Sequence, residues 1–277
     1  MEQKLSAAID KMPAFPKSVQ RVLALAADID CSPADLVDVI KHDPIFTLKV
    51  LKVVNSPFVG LRQKITSINQ ASVYLGVNTL KNLALGLASI GALPRRNKAG
   101  FDMEAFWLHS LATGVAAREL AAELKLETTL REDLFSAGLL HDVGKAVFAL
   151  YMPEEYRLVL AELAAAPQTS LLRAEAAALG LSHPQMGARL ARKWALPALL
   201  HDALALHHTT DAAPLPALCV QGADLAVKSL GHFYAAEPMP LAAPAVCELF
   251  GRDIGELASA MPDFDKHFQK ARIFIEV

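Results

Sequence analysis

Cysteine is scarce and scattered: Cys31, Cys219 and Cys247 are odd in number and form no Cys-x-x-Cys pair, which suggests neither a disulfide framework nor a thiolate zinc site. A reducing compartment, the cytoplasm, is the expected setting. Charge of one sign is scarce too. The 27 Lys and Arg residues nearly balance 29 Asp and Glu, leaving a net charge of -2, so no overall field draws the chain to nucleic acid or to an anionic membrane. The longest apolar run, Leu83 to Leu93, lies between Lys81 and Arg95-Arg96 and is about half of what a bilayer-spanning helix needs. Nor does the start offer the apolar core of a secretory signal, because Glu2, Lys4, Asp10 and Lys11 occupy it. With only 14 Gly and 16 Pro and a hydrophobic content of 53%, the composition argues against disorder. At 277 residues the chain suits one large domain or two modest ones.

Helical periodicity is what the sequence does have. A helix is expected from Pro16 to about Asp28, and Ser32-Pro33-Ala34-Asp35 opens another with Leu36, Val37, Val39 and Ile40 as its apolar face. Asp43 can cap a helix starting at Pro44, with Ile45, Leu48, Leu51 and Val54 inward and Lys49 and Lys52 solvated, stopped at Asn55-Ser56-Pro57. Ser67 to Leu75 follows, broken at Gly76, and then Asn78 to about Ala92. The Pro94 to Gly100 stretch, with Arg95, Arg96 and Lys98, is the clearest change of composition and marks an internal boundary: residues 1–97 form a first helical portion and 98–277 a second. Beyond it, helices are expected over Asp102–Leu124, Thr129–Leu140, Pro153–Ala166, Ser170–Leu179, Ser182–Trp194, Pro197–His208 and Pro216–Leu230. Only the short tail Arg272-Ile273-Phe274-Ile275-Glu276-Val277 alternates with period two. The fold class is therefore all-α.

The chemistry concentrates at Ala137-Gly138-Leu139-Leu140-His141-Asp142-Val143-Gly144-Lys145, where an apolar run stops at an imidazole, a carboxylate and an ammonium. Adjacent residues point about 100° apart on a helix, so His141 and Asp142 can serve one centre only where a helix ends or neighbours wrap it. Lys145, four residues after His141, is spaced to meet an anion or phosphate there. The plainer alternative is a helix that simply ends in polar residues. Against it stand His109, His183, His201, His207, His208 and Asp224, each in or beside an apolar helix. An aspartate buried there without a cation or hydrogen bonds would cost several kcal/mol. Imidazoles and carboxylates without thiolates suit Mn, Fe, Mg, Ni or Zn.

His109, His141-Asp142 and Asp224 in successive helical regions resemble the H…HD…D pattern of the HD-domain metal-dependent phosphohydrolases. Met12-Pro13-Ala14-Phe15-Pro16, Ile40-Lys41-His42-Asp43-Pro44, Val54-Asn55-Ser56-Pro57-Phe58 and Ile65-Thr66-Ser67-Ile68-Asn69-Gln70-Ala71 narrow this to a resemblance to the HDOD subfamily, spanning roughly Met12 to Leu230. The resemblance implies an N-terminal helical bundle packed on an HD-like helical portion. It also implies that His109, His141, Asp142 and Asp224 ligate a divalent ion, that His183, His207 and His208 resemble the further ligands of two-ion HD-GYP enzymes, and that Lys145 holds a phosphate oxygen. Glu175 matches a frequent family glutamate that orients a ligand histidine; a surface helix charge is the alternative. His201-Asp202 lacks the following Gly-Lys and is expected to face solvent or to support the site from outside.

The departures count as well. Thr209-Thr210-Asp211-Ala212-Ala213-Pro214 replaces the acidic residue and Gly-Tyr-Pro loop of HD-GYP enzymes, so cyclic-di-GMP phosphodiesterase activity is not expected, and Ala105 leaves no carboxylate one turn before His109. The expected function is an HDOD-type signalling or regulatory protein with one or two metal ions, acting through a signalling protein partner or a small phosphate ligand. The alternatives are a metal-dependent phosphohydrolase or phosphodiesterase on a nucleotide-like substrate, and a metal-free structural core.

Overall fold

The computed structural model describes residues 2–15, 17–26, 33–210, 212–232, 239 and 242–276. Among them the chain forms helices alone: α1 Glu2–Lys11, α2 Lys17–Ala26, α3 Pro33–Lys41, α4 Pro44–Val54, α5 Ile68–Ala92, α6 Met103–Glu123, α7 Thr128–Leu140, α8 Val143–Tyr151, α9 Pro153–Ala165, α10 Leu171–Leu179, α11 His183–Lys193, α12 Ala198–Leu206, α13 Leu215–Ser229, α14 Pro244–Phe250, α15 Ile254–Ser259, α16 Phe264–Ala271 and α17 Ile273–Glu276. The all-α expectation holds. No described helix is long and apolar enough to cross a membrane.

The starts of these helices follow from their capping residues. Asp43 accepts from the Phe46 N–H with one oxygen and from the Ser18 hydroxyl with the other, both at 3.0 Å, joining α4 to α2. Ser67 accepts from the Gln70 N–H, and Asp102 from the Glu104 and Ala105 N–H groups. The break expected at Gly76 is a kink inside α5, where φ 76° and ψ 165° leave helical space. The expected end near Asp28 and the Pro16, Cys31, Ser32, Asp211 and Val277 positions lie outside the described residues.

Helices α2 to α5 pack as a bundle, α5 lies on α7, and α6 pairs with α7 at the centre, flanked by α13 and α16. One apolar core runs through both portions of the chain. Asp133 on α7 receives Asn82 at 2.8 Å and Lys81 at 3.3 Å from α5, while the Arg118 guanidinium of α6 lies 4.5 Å over the Phe58 ring. Lys193 at the end of α11 donates to the carbonyls of Ile9, Asp10 and Met12. Trp194 donates to the Pro13 carbonyl at 3.3 Å and stacks on Phe15 at 4.2 Å.

One expectation needs correction. In α4, Ile45 and Leu48 are 71% and 68% exposed, whereas Phe46, Val50, Val53 and Val54 are buried. Val54 is buried and Leu51 half-buried as expected, so only the first part of the face differs, with Phe46 and Val50 inward in place of Ile45 and Leu48. The alternating tail is helical over Ile273–Glu276, with Phe274 buried against Phe58 and Phe135; four residues are too few for a period of two to outweigh that aromatic anchor. Cys219 is buried and free, and burial pushes its thiol up to about 12.

The α6–α7 pair closes to backbone contact. A methyl on Gly138 would fall 2.8 Å from the Cα and N of Gly114 and from the Thr113 carbonyl oxygen, closer than any tolerated carbon contact. Gly138→Ala is expected to force the helices apart and to cost about 1–3 kcal/mol or more, read as a lower denaturant midpoint with an unchanged slope.

Candidate metal centre

Helix α7 ends at Leu140 and α8 begins at Val143, so His141 and Asp142 sit on the two-residue corner between them, with Asp142 at φ -96° and ψ 8°. That corner resolves the angular problem of neighbouring side chains. Both turn toward α13, where Asp224 stands, and toward His109 on α6. His109 Nε2 is 3.0 Å from Asp224 Oδ1 and 3.9 Å from Asp142 Oδ2; His141 Nε2 is 3.3 Å from Asp142 Oδ2 and 3.7 Å from Asp224 Oδ1. On the other side of Asp142, His183 Nε2 lies 3.1 Å and His207 Nε2 3.5 Å from Oδ1. His208 completes this second group, its ring 4.3 Å from that of His207 and 5.0 Å from that of His183. Asp142 thus stands between two sets of nitrogen donors, offering one oxygen to each.

Four of these imidazoles are oriented in the same way. His109 Nδ1 donates to the His232 carbonyl, His141 Nδ1 to the Gly138 carbonyl, and His207 Nδ1 to the carbonyls of Ala203 and Leu204. His183 Nδ1 donates to Glu175 Oε2 at 2.7 Å, and the same oxygen accepts from the His183 N–H. With every Nδ1 acting as a donor, the neutral tautomer carries its lone pair on Nε2, pointed into the cluster. In that neutral form the buried Nε2 atoms of His141, His183 and His207 complete no hydrogen bond. Buried donors and acceptors of this kind are costly. A divalent cation would satisfy all of them at once, and an all-nitrogen-and-oxygen set fits the metals named above. The residues therefore fit such an ion.

Two lysines flank the acids. Lys145 donates to Asp142 Oδ2 at 2.7 Å and Lys228 to Asp224 Oδ2 at 2.9 Å, both buried. Lys145 is thus paired with the aspartate three residues before it, where the sequence spacing pointed to an anion beside His141. Burial alone would raise the Asp142 carboxyl, but His141, Lys145 and His183 outweigh it and hold it well below the usual carboxylate range. Asp224 is lowered in the same way, against burial, by Lys228, His109 and His141. Burial drives His207 down to about 4, whereas at His141 the opposing pull of Asp142 and Asp224 wins and raises the imidazole to about 9.

Of the sequence-derived residues, His109, His141, Asp142, Asp224, His183, His207 and His208 come together, with Lys145 and Glu175 in contact with them. Glu175 is buried, unlike a surface helix charge. His201 and Asp202 lie outside the cluster and pair with each other at 3.4 Å, partly exposed. Lys228 and the His232 carbonyl escaped notice. The first was signalled by its i+4 spacing from Asp224; a backbone carbonyl leaves no signal in the sequence. Gly144 carries another close contact: a methyl there would meet the His183 carbonyl oxygen at 2.1 Å, so the start of α8 lies directly against the start of α11.

Comparison with known proteins bears on the family and the fold. The sequence profile of the HDOD domain matches residues 12–210. An uncharacterized protein of Treponema pallidum (strain Nichols) is 28% identical over 206 residues, covering 74% of this chain and 39% of the relative, so the chain spans only about two fifths of that protein. A crystal structure of an HDOD domain protein of unknown function from Geobacter sulfurreducens aligns over 100% of this chain and 99% of its own, with a TM-score of 0.79 and 20% identity. A Shewanella amazonensis SB2B protein, provisionally named a phosphohydrolase, aligns over 98% of both chains with a TM-score of 0.78 and 23% identity. At these identities the two structures show the shared fold.

Without metal, the raised His141 imidazole links stability to pH. Its folded value of about 9 exceeds the ordinary 6.5, so the stabilisation is complete below 6.5 and is lost as pH rises through 9. In chelator, unfolding free energy is expected to fall by about 3 kcal/mol across that window. Denaturant titrations at several pH values check this, and the slope should flatten in His141→Ala.

Proposed function

The chain belongs to the HDOD domain family, and from that premise we propose that it is a metal-binding signalling or regulatory module acting through a protein partner or a small phosphate ligand. Residues 1–97 act as the helical bundle and 98–277 as the HD-like portion of one HDOD unit. The observation that carries this reading is the convergence of inward-pointing imidazole nitrogens on two buried aspartates. His109, His141, Asp142 and Asp224 would hold one divalent ion, and Asp142, His183, His207 and His208 a second. Glu175 fixes the ring of His183 and the His232 carbonyl that of His109. Because the ligands come from α6, the α7–α8 corner, α11, α12 and α13, filling the site would clamp five parts of the core together. That gives occupancy a mechanical reach to the surface, which is what a regulatory module needs.

A second reading is a metal-dependent phosphohydrolase or phosphodiesterase on a nucleotide-like substrate. The two buried ammonium groups beside the acids favour it, as does the provisional name of the Shewanella relative. A bound ion would supply the polarisation of a phosphoryl oxygen and an activated water. Lys145 would contribute its ammonium to charge developing on the phosphate.

Metal analysis of protein purified without chelator is expected to find one or two divalent ions per chain, and essentially none in the His141→Ala, Asp142→Ala double variant. A metal-free wild type would overturn both readings. Turnover of phosphodiesters or nucleotides by the metal-loaded protein, abolished in the double variant, would replace the regulatory reading with the enzymatic one.

A further inference from the structure

The cluster holds a definite set of charges. Asp142, Asp224 and Glu175 face Lys145 and Lys228, all five buried. A ligating imidazole binds as the neutral ring, so the protein supplies one negative charge in excess. A first divalent ion overshoots neutrality by a single charge. A second would leave three positive charges in a water-poor space, where uncompensated charge is costly.

Lys228 sets this balance. It follows Asp224 by one turn of α13, which fixes the pair through the helix itself. Its ammonium holds Oδ2 and leaves Oδ1 toward His109 at 3.0 Å and His141 at 3.7 Å, so Asp224 offers one oxygen rather than two. Lys145 pairs with Asp142, its Nζ 2.7 Å from Oδ2.

Building on the metal-binding reading above, we propose that the second ion enters only together with a tetrahedral phosphate dianion, and that Lys228 enforces this coupling by cancelling one of the carboxylate charges that would otherwise offset the second ion. The dianion is either inorganic phosphate or the phosphate of a phosphomonoester. Lys228 is a positioning residue here, acting through Asp224 and through the charge of the site.

The test is Mn2+ uptake by the full chain, measured as metal per chain and by electron paramagnetic resonance, which separates isolated ions from a coupled pair. Without phosphate, one ion per chain and an isolated-ion spectrum are expected; with millimolar phosphate or AMP, two ions and a coupled spectrum. Whichever anion promotes uptake names the source. In Lys228→Gln, the phosphate concentration needed for the second ion should fall at least tenfold, while Lys228→Arg, which keeps the charge, should retain the wild-type requirement. Circular dichroism verifies that both variants fold, and the wild-type anion dependence stands as a test without them. Two ions bound without any anion, or one ion however much phosphate or AMP is added, would overturn the coupling. An unchanged requirement in folded Lys228→Gln would overturn the role of Lys228. No uptake under any condition would overturn the metal-binding reading itself, and the coupling with it.

Discussion

Two aspartates held out of water in the middle of an apolar helical core are the constraint on which this structure depends. Asp142 and Asp224 are buried among leucines, valines and alanines, and a carboxylate in such a place persists only if other groups supply the hydration it has lost. Imidazoles and two ammonium groups do so, drawn from parts of the chain far apart in sequence. The fold is thereby committed: any rearrangement that separates α6, α13 and the α7–α8 corner strands a charge. Apolar packing holds the helices together, while the acids determine which helices meet.

The close contacts are consistent with that commitment. Gly138 against Gly114 brings α6 to α7, and Gly144 against the His183 carbonyl brings α8 to α11. Both lie within a few residues of His141 and Asp142. Longer side chains at these positions would push the donor-bearing helices outward and lengthen the very distances that neutralise the acids. Small residues and charged residues in this stretch therefore solve one problem together.

Much of this was legible in the sequence. Helix starts at Pro44, Ile68 and Met103 followed from Asp43, Ser67 and Asp102 because capping is local chemistry, while polar side chains interrupting apolar helices marked the candidates and the resemblance to the HD pattern selected the ligand set among them. What escaped depends on rotation and on backbone. The first turns of α4 face differently from expectation because Ile45 and Phe46 are both apolar and only packing distinguishes them, while Leu51 and Val54 sit inward as expected. The tail was too short for its alternation to mean strand. Lys145, expected to meet an anion beside His141, is paired with Asp142, since three residues along a helix serve a salt bridge as well as four. The carbonyls that orient His109, His141 and His207 belong to no residue type and leave no mark in the sequence.

The grip on the end of α11 gives a meaning to the Met12-Pro13-Ala14-Phe15 stretch that its composition does not convey. Lys193 and Trp194 are tied to the carbonyls and the aromatic ring of that segment, while the same helix begins with His183. An eleven-residue helix is a stiff rod of roughly 16 Å. In mechanical terms α11 is a lever: its handle is held by the first turn-and-proline segment of the chain, and its tip is an imidazole at the charged centre. The same rigid helix thus joins the Met12–Phe15 contacts at one end to the imidazole of His183 at the other.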